Sequence, residues 1–224
     1  VSRSPFDLII FDYDGVIADS ELLNNAIMAE LLSEIGLPTT LDDALATYLG
    51  KRWLDCEALI SERLGAPCPP GLQGEWTRRC HYRARRDLTF VAGFDAFLAE
   101  LEEPRCIASS SPPDWIELGL RHFGAHDVFG GPIFSAAVHV SRGKPHPDLF
   151  LYAAEVMKAA PERTLVIEDS PTGVLAGVAA GMTIVGLCAG GHVRGDHSQR
   201  LKQAGAHQVF DSYADLAGWI AETA

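Results

Sequence analysis

The sequence predicts an α/β fold, a doubly wound and mainly parallel sheet with an all-helical domain inserted after its first strand. Three observations carry this. Short apolar runs recur along the chain, each stopped by polar residues. Helical patterns alternate with those runs. One long stretch, from about Ser20 to Thr89, holds helical patterns and no good strand.

The first run, DLIIFD, is short, apolar and rich in isoleucine, as a buried strand is. RCIASS (Arg105 to Ser110), TLVIED (Thr164 to Asp169) and TIVGLC (Thr183 to Cys188) are alike. Near-continuous apolar strands belong to parallel sheets covered on both faces. IFSAAV (Ile133 to Val138) and QVF (Gln208 to Phe210) are weaker strand candidates. Between them, FDAFLAELEE, PDWIELGLRHFG, PDLFLYAAEVMKAA and SPTGVLAGVAAGM read as helices, several opened by proline. Inside the insertion, SELLNNAIMAELLSEIG, TLDDALATYLG, RWLDCEALISERLG and LQGEWTRRCHYRARRD are helical, punctuated by Pro38 and GAPCPPG. The expected domains are residues 1–18 with 91–224, and 19–90.

Composition narrows the partners. The chain has 224 residues, 47% hydrophobic, enough for a real core. A formal net charge of -12 argues against nucleic acid and anionic membranes, which need a basic surface. The five cysteines are scattered, with no CxxC pair, as free thiols in a reducing compartment would be. No signal peptide and no membrane-length apolar run is evident, so a cytoplasmic protein is expected, and a monomer.

In an open parallel sheet, ligands bind outside the C-terminal ends of the strands. There the sequence sets Asp12 and Asp14, then Ser109, Ser110 and Ser111, then Glu168 and Asp169, with Lys144 before a helix. Clustered carboxylates repel unless a cation joins them. Mg²⁺ suits them, because it takes hard oxygen ligands and keeps places for water or a phosphate. A carboxylate can attack phosphorus when metal and lysine neutralise the phosphoryl oxygens. A second carboxyl two residues on can manage the proton.

FDYDGVIADSE, IASSS, GKPHPDLF and VIEDSPTGVLAG resemble, in order, the four motifs of the haloacid dehalogenase-like hydrolase superfamily. The resemblance spans the chain, and the insertion falls where the phosphatase and β-phosphoglucomutase-like subgroup carries a helical cap. It implies a Rossmann-like core and these roles. Asp12 is the nucleophile and Asp14 the general acid/base. Ser109 binds phosphate with help from the backbone at Ser110, and Lys144 neutralises phosphate and orients Asp12. Asp12, Asp169 and the Asp14 carbonyl hold Mg²⁺, while Glu168 is either a further ligand or a hydrogen-bond partner. Gly15 turns the chain and brings its amide near the phosphate. In the cap, Lys51, Arg52 and Trp53 are candidate substrate contacts, with Asn24 and Glu21 weaker ones.

Other features read plainly. RRCHYRARR is a solvated helix face, and His139, His146 and His192 are solvated loop residues. Within the resembled superfamily, dehalogenases lack the second aspartate, which is present here as Asp14. Phosphonatases use a cap lysine that SELLNNA does not contain. β-Phosphoglucomutases carry a cap His and a cap Arg where this chain has Asn24 and Trp53. The expectation is a Mg²⁺-dependent phosphatase of a small phosphorylated metabolite, a sugar or sugar-acid phosphate. The alternatives are a β-phosphoglucomutase-like phosphotransferase and a catalytically idle binding protein.

Overall fold

A computed structural model describes residues 5–223 except 50 and 52. The chain divides into two compact units, Val1–Asp19 with Thr89–Ala224, and Ser20–Leu88.

The larger unit holds β1 (Leu8–Phe11), and the smaller holds α1 (Ser20–Glu34), α2 (Leu41–Tyr48), α3 (Trp53–Leu64) and α4 (Leu72–Asp87). The larger unit then continues through α5 (Phe94–Glu100), β2 (Arg105–Ser109), α6 (Pro113–His122), α7 (His126–Phe129) and β3 (Ile133–Ser135). After these come α8 (Ala136–His139), α9 (Asp148–Met157), β4 (Thr164–Glu168), α10 (Pro171–Ala179), β5 (Thr183–Leu187), α11 (His197–Ala204), β6 (Gln208–Phe210) and α12 (Tyr213–Thr223). Among the described residues six parallel strands form one sheet, in the order β3-β2-β1-β4-β5-β6. The order reverses around β1, so β1 and its neighbours sit at the point where an α/β sheet takes ligands.

Alternate residues of each strand serve opposite faces. Leu8, Ile10, Cys106, Ala108, Val166 and Ile184 pack with Leu149, Phe150 and Ala153 of α9 and Val174 of α10. On the other face, Phe11 meets Phe94, Phe97 and Phe129 edge-on, and Tyr213 of α12 packs against Phe94 and Phe97. Both faces are therefore covered, which is why the strands read as continuous apolar runs.

Some elements differ from the sequence expectation. IFSAAV is a strand only to Ser135, whose hydroxyl accepts from the Ala137 amide and caps α8. The helices α11 and α12 are not among the helical patterns read from the sequence. α11 buries only His197 and Leu201, so its stripe is too thin to read.

In the smaller unit α1 packs on α2 and α4, burying Ile27, Leu31 and Leu32. A reciprocal Thr40–Asp43 capping box starts α2. The arginine run on α4 is the charged face the sequence predicts, with Arg79 bridging Glu34 and Glu75. No helix among the described residues is long and apolar enough to cross a membrane.

Candidate active site

Register builds the site. Phe11 pairs with Ile107 of β2 and with Ile167 of β4. One step further, Asp12 stands beside Glu168, and its amide donates to the Ile167 carbonyl at 3.0 Å. Carboxylate oxygens of Asp12, Glu168 and Asp169 all lie within 4.8 Å of one another, and all three residues are buried.

Lys144 reaches into this cluster from the loop before α9. Its side chain is 4% exposed, with Nζ 2.8 Å from Asp12 Oδ1 and 2.5 Å from Glu168 Oε1. The ammonium thus pairs with both carboxylates at hydrogen-bonding distance. The ammonium also lies 5.0 Å from the centre of the Phe150 ring. Burial alone would lower the Lys144 pKa, but Asp12 and Glu168 overcome it and raise it.

The carboxyls feel the opposite balance. Burial pushes Glu168 up to about 7, and Lys144 only partly offsets burial and the charges of Asp12 and Asp169. Asp169 is raised well above the carboxylate range by burial and by Asp12. Three carboxylates share one ammonium, so the cluster holds surplus negative charge. Three buried carboxyls offering hard oxygen donors fit a hard divalent cation.

Glu168 is the most engaged of the three. Its Oε2 accepts from the Ser170 amide and hydroxyl, both at 2.9 Å. A Cβ on Gly173 would fall 1.8 Å from Oε1, so α10 can approach this carboxylate only through a glycine. Both of its oxygens therefore have protein partners, and it also belongs to the group that could hold a metal.

Asp14 has different surroundings. Ser111 Oγ donates to Oδ2 at 2.5 Å and Trp115 Nε1 donates to Oδ1 at 2.8 Å. Sequence reasoning missed both partners, and nothing local marks them. Ser109 is buried at the end of β2, and its Oγ accepts from the Ser111 amide at 3.1 Å. Its hydroxyl proton is left to donate. Ser110 is exposed.

Gly15 departs from its expected part. Its amide donates to the Ala18 carbonyl at 2.8 Å, closing the turn, so it is not offered to a phosphate. The glycine is needed for another reason. Its φ is +75°, and a Cβ there would stand 1.8 Å from Asp169 Oδ2. Tyr213 Oη, donating to the Val16 carbonyl at 2.8 Å, fixes the same turn from α12.

His192 is also corrected. It is 2% exposed, with Nε2 3.1 Å from Asp169 Oδ2, because the loop after β5 folds inward over the acidic cluster. His146 is exposed as expected, and half-buried His139 hydrogen-bonds to the backbone of Ser135.

The remaining candidates belong to the smaller unit. Asn24 and Trp53 are half-buried and Lys51 is exposed, while Arg52 lies outside the described residues. Trp76 Nε1 donates to the Asn24 carbonyl at 3.1 Å, and the Trp53 and Trp76 rings lie 5.8 Å apart. Half-buried Glu21 accepts from Asn25 through its carbonyl and its carboxylate.

A parallel sheet with a helical insertion and a cation-ready acidic edge defines an α/β enzyme built for anionic substrates. The chain belongs to the haloacid dehalogenase-like hydrolases, whose family model matches residues 6–181. It is 24% identical to 6-phosphogluconate phosphatase of Escherichia coli over 84% of this chain and 86% of that one. It is 30% identical to hexitol phosphatase A of the same organism, over 80% of this chain and 81% of that one. Among solved structures, a haloacid dehalogenase family hydrolase from Deinococcus radiodurans with bound phosphate and sodium superposes with a TM-score of 0.85. That protein is 34% identical and the match covers 99% of this chain and 97% of that one. The chain is a phosphatase of this family's phosphatase and β-phosphoglucomutase-like subgroup.

Proposed function

We propose that the protein is a Mg²⁺-dependent phosphomonoesterase for a small phosphorylated metabolite, a sugar or sugar-acid phosphate, working through an aspartyl-phosphate on Asp12. One observation carries the reading. Carboxylate oxygens of Asp12, Glu168 and Asp169 crowd within 4.8 Å of one another, and the buried Lys144 ammonium touches two of these residues. That surplus charge calls for a cation, and a cation beside a carboxylate is what a phosphate ester needs.

Asp12, Asp169 and the Asp14 carbonyl are assigned as ligands, with Glu168 adding charge while it anchors Lys144. A Mg²⁺ held there would supply positive charge for the phosphoryl oxygens. An Asp12 oxygen attacks phosphorus and the ester oxygen leaves. Lys144 and the Ser109 hydroxyl hold the phosphoryl oxygens. Asp14 gives its proton to the leaving oxygen, then takes one from the water that attacks the phosphorylated Asp12. Phosphate departs and Asp12 is restored. Ser111 and Trp115 keep Asp14 in place for both transfers.

The substrate class is supported by relatives named for 6-phosphogluconate and for hexitol phosphates. We assign selectivity to Asn24, Lys51, Arg52 and Trp53 of the helical unit. One chain supplies every assigned group, which fits a monomer, and five free thiols fit the cytoplasm.

The test is phosphate release from a panel of sugar, sugar-acid and polyol phosphates, with Mg²⁺ and with chelator. Release that requires Mg²⁺ and falls about a thousandfold or more in Asp12→Asn is expected. Isomerisation of a sugar phosphate without release, or release indifferent to Asp12→Asn, overturns the proposal.

A further inference from the structure

The segment GGHVRGDH, the loop after β5 and the first residue of α11, spends two buried imidazoles on one residue. His192 and His197 are 2% and 6% exposed. His192 Nε2 lies 3.1 Å from Asp169 Oδ2, and His197 Nε2 lies 2.6 Å from the Asp169 carbonyl oxygen. A carbonyl oxygen only accepts, so His197 Nε2 carries its hydrogen, and toward the ionised Asp169 that a cation needs, His192 Nε2 is the donor. The two rings meet edge-on, 5.6 Å apart at 86°.

The backbone makes room for this. A Cβ on Gly190 would stand 2.7 Å from His192 Cε1 and Nδ1, and one on Gly15 would stand 2.9 Å from Cε1. Two glycines therefore flank the ring. The loop itself is tied down by the Gly191 amide, which donates to the Asp19 carboxylate at 3.0 Å. Neither histidine belongs to the group of carboxylates that lie within 4.8 Å of one another, so neither is placed as a ligand.

A carboxylate turns easily about its last torsion. One donor on Oδ2 fixes its plane, and a second on its carbonyl fixes the backbone that carries it. The other oxygen, Oδ1, is then presented in one direction. We infer that His192 and His197 are positioning residues, which together hold Asp169 in the orientation that binds the divalent cation and so set the affinity for that cation. The inference rests on Asp169 being a ligand, as proposed above.

The test measures binding without turnover. Mn²⁺ is titrated into the full chain and followed by electron paramagnetic resonance, with Mg²⁺ competition, at one pH. His192→Leu removes the donor and should weaken Mn²⁺ binding about 10–100-fold, the usual cost of losing a partner of a metal ligand. His192→Gln places an amide N–H near the position of Nε2 and should stay within a few-fold of wild type, which a merely space-filling role would not explain. If His192→Leu does not fold, His192→Asn, whose amide falls short of Asp169, replaces it with the same expectation. Asp169→Asn is run alongside. Wild-type affinity in the His192 variant, with binding lost in Asp169→Asn, overturns the clamp alone. Wild-type affinity in Asp169→Asn overturns the ligand assignment and the clamp with it.

Discussion

Removing metal should make the protein less stable as pH rises, and Glu168 sets the size of the effect. Burial, reinforced by Asp12 and Asp169 and only partly offset by Lys144, carries this carboxyl from an ordinary 4.5 to about 7 in the folded chain. Between those values the folded state binds more protons than the unfolded state. Stability contributed by this group is complete below pH 4.5 and is lost as pH rises through 7. At about 1.4 kcal/mol per pH unit the gap comes to roughly 3 kcal/mol. For a chain of 224 residues that corresponds to a fall in Tm of roughly 6–12 °C. Asp169, also raised, acts in the same direction. The assay is a thermal scan in chelator from pH 5 to pH 8, on wild type and on Glu168→Gln, whose amide does not titrate. Wild type should lose Tm with pH more steeply than the variant. Added Mg²⁺ should raise the wild-type Tm more at pH 8 than at pH 5, because it favours the ionised cluster. Parallel curves for the two proteins in chelator would refute the reasoning.

Gly15→Ala puts a methyl 1.8 Å from Asp169 Oδ2 at a φ of +75°, so it should cost about 2 kcal/mol, read as roughly 4–8 °C in Tm, and also weaken Mn²⁺ binding. Lys144→Met leaves Asp12 and Glu168 facing each other in a buried site. Urea unfolding in chelator should show a loss of about 3–5 kcal/mol at pH 8, and a smaller one at pH 5, where Glu168 is protonated. Trp115→Phe keeps the ring's packing but deletes the donor to Asp14 Oδ1, and should slow alkyl phosphate hydrolysis about tenfold or more. Hydrolysis of p-nitrophenyl phosphate, whose leaving group needs no proton, should change much less. An equal loss on both substrates would show that Trp115 does not act through the proton.

The parts of the site that could be read from sequence are those that end strands. A parallel strand covered on both faces is written as an apolar run, and all such runs end on one edge, so Asp12, Ser109 and Glu168 can be gathered without coordinates. Partners brought in by tertiary folding leave no such trace. Ser111 and Trp115 lie 97 and 101 residues from Asp14, and a triple serine does not say which hydroxyl turns where. His192 sits in a glycine-rich loop, and such loops are usually solvated. Only the glycines on either side, which the ring needs for space, hint otherwise. Gly15 shows the converse. Its need for positive φ is evident from DYDG, but the use of its amide is decided by the Ala18 carbonyl across the turn.

The partners, rather than the order of residues in the motif, tell the two aspartates apart. Asp12 faces a fixed ammonium at 2.8 Å and lies among other carboxylates. Asp14 instead meets two neutral donors. One of them, the Trp115 indole, can only donate, and so keeps Oδ1 as an acceptor. The other, the Ser111 hydroxyl, can donate to Oδ2 or accept from it as the proton comes and goes. Residues that follow β2 thus give two chemically identical side chains, two residues apart, the different partners that the proposed nucleophile and proton carrier need.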